Sequence, residues 1–314
     1  MLSNPLVVET LRSVVAPCAA GGAFFLLVWR PWRRRAGEPD MLLSALVVAG
    51  AFAGGAILTH GWKGWWPQDF TGRIYTFVLM GLVVAVVDRF VLGRPKPVSD
   101  RNGRGRNLVP TILLGVCIVA MSGVLVWMMS ESRIRYVWTG AERFYWPAAW
   151  TVVVAMGWVA IRNRASRGRG SLIPIACLAG LLAIVLVRAG NASLSQNTGP
   201  IIGCLSAYIV LQLWKGGRGI AVGTSHVVAS AYLGLAMAGY LYSPEPKPHA
   251  ALGIAAIAPL VLLVGELKPL KRLGATVRVA LEIVLIGGLV IAAFVASAPE
   301  SDGGGDNDIG DLYE

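Results

Sequence analysis

Residues 108–130 read LVPTILLGVCIVAMSGVLVWMMS, twenty-three consecutive positions without a charged side chain. A hydrocarbon core about 30 Å thick is crossed by about 20 helical residues at about 1.5 Å each. Lipid offers no partner for backbone N–H and C=O groups, so a crossing segment is a helix or part of a closed barrel. The apolar residues here are continuous rather than alternating, which selects the helix.

Working outward, the same unit recurs. Apolar stretches lie at roughly 11–29, 41–60, 74–92, 108–130, 144–161, 172–188, 198–214, 224–242, 250–267 and 277–297. Composition agrees: 55% of the 314 residues are hydrophobic and 14% charged, with a mean hydropathy of +0.63. Soluble domains run at about 45–50% apolar and about 25% charged. The expected fold is therefore an all-α, polytopic integral membrane bundle of about ten transmembrane helices, occupying residues 1–298. The segment before the first apolar stretch carries Glu9 and Arg12, and Arg30, Arg33, Arg34 and Arg35 follow it. That order is the reverse of a cleavable signal peptide, so an uncleaved first helix is expected.

The connections set an orientation. Odd-numbered ones carry Arg30–Arg35, then Arg89, Arg94, Lys96, Arg101, Arg104 and Arg106. Arg162, Arg164, Arg167 and Arg169 follow, then Lys215 and Arg218, then Lys268, Lys271, Arg272 and Arg278. These hold 20 of the 28 basic residues. Basic loops stay in the cytoplasm, which puts both termini on the non-cytoplasmic side of the cell (cytoplasmic) membrane. The net charge of +11 is then a topology signal. It implies the bilayer as partner, with anionic headgroups at the Arg-rich loops, and no nucleic acid. Residues 299–314 carry six carboxylates, three consecutive glycines and no basic residue, which reads as an acidic disordered tail. Its Asp306, Asp308 and Asp311 miss the calcium-loop pattern, because Asp311 stands where the loop's glycine belongs.

Five spans per half would make two halves, 1–161 and 172–298, inverted relative to one another. Pro17-Cys18 against Pro174 and Cys177, and Gly50/Gly54 against Gly199/Gly203, are the coincidences that suggest it. In length and span count alone the chain resembles the drug/metabolite transporter superfamily, built of two five-helix halves. Those proteins keep both termini in the cytoplasm, opposite to the orientation read here, and no motif carries over.

Ionisable groups inside a span are functional by default, because burying them in hydrocarbon costs several kcal/mol. The expected substrate or ion pathway is Glu282, Glu266, His226, Gln212 and Asp88, polar residues near one membrane level. Glu282 has a simpler partner in Arg278, four residues back on the same helix face, and all five are equally readable as helix ends meeting headgroups. On the outer side, Trp62, Trp65, Trp66 and Asp69 form an expected aromatic platform. Tyr136, Trp138, Phe144, Tyr145, Trp146 and Trp150 extend the aromatic surface. Trp and Tyr also favour membrane interfaces for their mixed polarity. Asn191-Ala-Ser193 matches a glycosylation acceptor.

No enzyme signature stands out: there is no H-E-x-x-H, P-loop lysine or nucleophile elbow, so no catalytic residue is named. Cys18, Cys117, Cys177 and Cys204 lack metal or disulfide spacing, and neither metal nor cofactor is expected. Three functions remain. The first is a small secondary-transporter-like permease for a small or lipid-like solute. The second is a non-catalytic scaffold or subunit with membrane-protein partners. The last is a lipid-acting membrane enzyme.

Overall fold

The computed structural model describes residues 15–29, 40–61, 73–92, 108–167, 170–215, 218–243 and 249–297. Trp62, Trp65, Trp66, Asp69 and the 299–314 tail lie outside the described residues.

Among the described residues all regular structure is helical. The helices are α1 (Ala16–Trp29), α2 (Met41–His60), α3 (Ile74–Leu92), α4 (Leu108–Tyr136) and α5 (Glu142–Ala165). They continue with α6 (Leu172–Arg188), a short α7 (Ala192–Gln196), α8 (Thr198–Lys215) and α9 (Arg218–Tyr242). After α10 (His249–Ile257) a 3-10 segment (Ala258–Glu266) runs on, followed by α11 (Lys268–Lys271) and α12 (Ala275–Ala296). Where described, the apolar stretches fall on this helical framework. By length and composition, six helices among the described residues are able to cross a membrane: Met41–Leu58, Val109–Tyr136, Glu142–Ala165, Ile220–Tyr242, His249–Glu266 and Ala275–Ala296.

The bundle is organised around α9. Residues 220–239 are buried at every position, while on α12 only Glu282, Ile286 and Ala293 are buried. Helices α2, α3, α5 and α10 all pack on α9. Close packing is the main attraction between helices in lipid, because tails are as apolar as leucine. Small residues make it achievable here: Ala221, Ala229, Ala231, Ala236 and Ala238 are all buried on α9. Gly81 does the same on α3. A Cβ there would lie 2.6 Å from the Val227 Cα and 2.8 Å from the His226 carbonyl oxygen. Any side chain at position 81 would push α3 away from α9, and with it Asp88, two turns further along.

The change to 3-10 geometry after Ile257 has a local cause. Pro259 has no N–H to donate to the Ala255 carbonyl, four residues back. The Tyr232 hydroxyl of α9 donates to that carbonyl instead, at 2.6 Å. An orphaned backbone acceptor in the bundle interior thereby finds a partner, and α10 is fixed against α9. At the far end of α6, Arg188 lies over the Phe294 ring of α12 at 4.2 Å, a cation–π contact.

Candidate functional site

The last turns of α5 hold the groups that gather buried charge. Trp158 and Arg162 are four residues apart and share one face of the helix. The Trp158 Nε1–H donates to His226 Nδ1 at 3.1 Å. His226 Nε2 lies 2.8 Å from Asp88 Oδ2. Arg162 grips the same carboxylate with both arms of its fork, Nε to Oδ2 at 3.1 Å and Nη2 to Oδ1 at 3.0 Å. Asp88, Trp158 and His226 are completely buried.

This geometry fixes the histidine tautomer. An indole N–H is a donor only, so Nδ1 of His226 accepts and the ring proton sits on Nε2, directed at Asp88. The imidazole is neutral in this arrangement. The charges are then one carboxylate and one guanidinium, and the cluster is electrically balanced. Arg162 keeps 21% of its side chain exposed, so this pair reaches the edge of the bundle.

A second cluster lies on the other side of α5. Glu282, on α12, is buried to within 1%. It accepts from Arg164 Nε at 2.5 Å and from Arg167 Nη1 at 3.2 Å. Arg167 continues outward to Glu266 at 2.8 Å and to the Leu262 carbonyl at 3.4 Å. Two arginines thus balance two glutamates. Gly265 makes the room: a Cβ there would stand 2.5 Å from Arg167 Nη1 and 2.7 Å from Glu282 Oε1. A third set joins α8 to the same place. Gln212 Nε2 donates to Ser171 Oγ at 2.9 Å, and that hydroxyl donates to the Ala165 carbonyl at 3.2 Å.

The five polar residues singled out in the sequence therefore meet one segment, Trp158–Ser171, in three bond sets rather than lining one shared wall. The partner of Glu282 differs from the one its spacing offered. Arg278 makes no ion pair among the described residues, while Arg164 and Arg167 fill that role. Arg162 and Arg164 stand in the last turn of α5, and with Arg167 they turn inward onto carboxylates. Helical spacing foretells only pairs within one helix, whereas these pairs join residues at least 74 positions apart. Trp158 and Arg162 went unnoticed as site residues for that reason. Their four-residue spacing next to the basic segment was the available signal.

The opposite end of α5 and α9 holds a cavity of about 170 Å³, lined by Arg133, Trp138, Trp146, Trp150, Tyr240, Leu241 and His249. Trp150 meets Tyr240 edge-on at 5.0 Å, and Tyr240 meets His249 edge-on at 5.3 Å. Arg133 Nη2 donates to the Leu241 carbonyl, and Arg143 Nε to the Trp138 carbonyl at 2.8 Å. Of the fourth connection's aromatics, Trp138, Trp146 and Trp150 line this cavity, while Tyr136 and Phe144 are largely exposed.

Among the described residues no group of three or more His, Cys, Asp or Glu side chains is placed to hold a metal. Cys117, Cys177 and Cys204 carry free thiols. The chain matches no protein-family model, and no curated protein is significantly similar to it.

Proposed function

We propose that this chain is a small secondary-transporter-like permease of the cell membrane, with about ten spans and both termini outside, that moves a small or lipid-like solute. The observation that carries this reading is that α5 and α9 each hold a cavity wall at one end and a charge-locking residue at the other. On α5 these are Trp150 and Trp158, about 12 Å apart along the helix. On α9 they are Tyr240 and His226, about 21 Å apart. With the Arg-rich connections in the cytoplasm, the cavity faces outward and the Asp88, His226, Glu282 and Glu266 clusters close the inner end.

Opening that end separates Arg162 from Asp88 and draws Arg164 and Arg167 from Glu282. Inside the bundle, breaking one buried pair costs about 3–5 kcal/mol, because a bare charge is left behind. Exposure of both partners to inflowing water removes most of that penalty. The clusters thus favour a closed inner end and still allow it to open when water enters. Gln212 is on this rim through Ser171.

The second reading, a scaffold subunit with membrane-protein partners, is favoured by one observation: the clustered charges are balanced within the chain, which suits a static core. Paired-position labelling separates the two. With the four native cysteines replaced by alanine, Thr224→Cys reports the inner end and Leu241→Cys the outer cavity. In a permease, adding Asp88→Asn raises labelling of position 224 by a water-soluble maleimide and lowers that of position 241. A scaffold shows neither change, and simple loosening raises both, so either pattern defeats the transport reading.

A further inference from the structure

We propose that the cavity between α4, α5, α9 and α10 binds a small organic oxyanion, a carboxylate or phosphate on a single flat ring. The charged oxygens lie on Arg133 and the ring lies among Trp138, Trp146, Trp150 and Tyr240. This deepens the permease reading by naming the class of solute.

The first support is charge. Arg133 lines the cavity and makes one hydrogen bond, to the Leu241 carbonyl, although a guanidinium has five N–H donors. No carboxylate pairs with it among the described residues. Nearby Glu131 is held by Arg73 at 3.1 Å and Arg135 at 2.7 Å, and Glu142 accepts from the Thr139 N–H at 3.3 Å. Arg143, exposed outside the cavity lining, has its Nε on the Trp138 carbonyl and makes no ion pair among the described residues. The inward-turned Arg162 and Arg164 of α5, by contrast, each have a carboxylate partner. Here no carboxylate among the described residues supplies the counter-charge, and a guanidinium fork fits carboxylate and phosphate oxygens.

The second support is shape and wall chemistry. A dry apolar cavity of about 150 Å³ takes one benzene, so about 170 Å³ takes one ring and its anionic substituent. Trp150 and Tyr240 stand edge-to-face, which leaves aromatic surface for a flat body to stack on. His249, beside Tyr240, brings a further N–H. Aromatic faces by themselves would also attract a cation, but Arg133 in the same cavity repels it. The wall residues therefore select for the ring and the arginine selects for the negative charge.

The charged oxygens have two sources, a soluble ring-bearing anion or the phosphate of an anionic lipid in the adjacent leaflet, which would compete for Arg133 without filling the ring's place. The test is a fluorescence titration of the full chain in phosphatidylcholine nanodiscs, with benzoate as probe and benzyl alcohol as its neutral counterpart. Benzoate should change tryptophan emission saturably. Arg133→Gln should weaken it at least about tenfold, the loss of a charge-assisted hydrogen bond, and Arg133→Lys should fall between. Benzyl alcohol should bind both forms equally weakly. With phosphatidylglycerol in the disc, weaker benzoate binding assigns the site to lipid headgroups, and unchanged binding assigns it to a soluble anion. Benzoate that fails to saturate, that ignores Arg133→Gln, or that binds no better than benzyl alcohol overturns the proposal. If Arg133→Gln does not fold, Trp146→Ala takes its place, and unchanged benzoate affinity there is equally fatal. Equilibrium binding needs no movement of the helices. Binding without the reciprocal labelling pattern therefore removes transport alone, and the labelling pattern without benzoate binding removes this site alone.

Discussion

Arg164 and Arg133 stand at opposite ends of the bundle and live in opposite electrostatic conditions. Arg164 is 4% exposed, and its charge is matched by Glu282 at 2.5 Å. Arg133 lines a cavity, meets one backbone oxygen, and has no carboxylate partner among the described residues. A buried charge that is fully matched holds helices together and resists change. A charge left unmatched in an aromatic cavity is a site that waits for its counter-ion from outside. On the proposed reading the same residue type serves closure at one end and recognition at the other, and the surroundings decide which.

The sharpest way to break this comparison is to remove the match at the closed end. Glu282→Gln leaves Arg164 buried without a negative partner, so unfolding in micelles should lose about 3–5 kcal/mol. Adding Arg164→Met should restore much of that loss, because an apolar replacement of a buried pair is close to neutral. A loss below about 1 kcal/mol, typical of exposed pairs, would mean that Glu282 is not held as described.

Asp88→Asn should cost less, about 1–2 kcal/mol. Asparagine still offers an oxygen to His226 Nε2, and Arg162, with 21% of its side chain exposed, reaches water to recover its solvation. An equal loss in the two variants would remove the distinction between the deep and the peripheral cluster.

The smallest effect is expected at the open end. Arg133→Gln gives up one hydrogen bond to the Leu241 carbonyl and no ion pair. A thermal unfolding curve within about 1 kcal/mol of the parent is expected, the usual net worth of one hydrogen bond. A large loss there would show that Arg133 supports the fold as Arg164 does, and the contrast between the two ends would collapse.

Much of the architecture was legible before any coordinates. The described part of each apolar run, of which 108–130 is the plainest, is helical, because a backbone in hydrocarbon must satisfy itself locally. The polar residues Asp88, Gln212, His226, Glu266 and Glu282 were also legible as outliers in apolar surroundings. Their partners were not. The four-residue spacing of Arg278 and Glu282 is a true property of the helix, yet Glu282 turns to Arg164 and Arg167 because α12 packs beside the 3-10 segment and the end of α5. The basic run from Arg162 onward carried a topology signal, and the same residues also serve as counter-charges, a use that charge counting does not register. The cavity was half legible: its tryptophans stood out as an aromatic cluster, but Tyr240 and His249 come from a distant part of the chain.

The sequence by itself determined that this chain is a helical membrane protein and where its helices run, since both follow from local hydropathy and local hydrogen bonding. Only the tertiary structure decided that α9 is the buried centre, that three polar sets converge on the end of α5, and that no described carboxylate pairs with Arg133. Those outcomes depend on which helix faces touch. In a chain whose helices are apolar on nearly every side, the choice is made by small residues such as Gly81 and by a few buried polar groups seeking partners across the bundle.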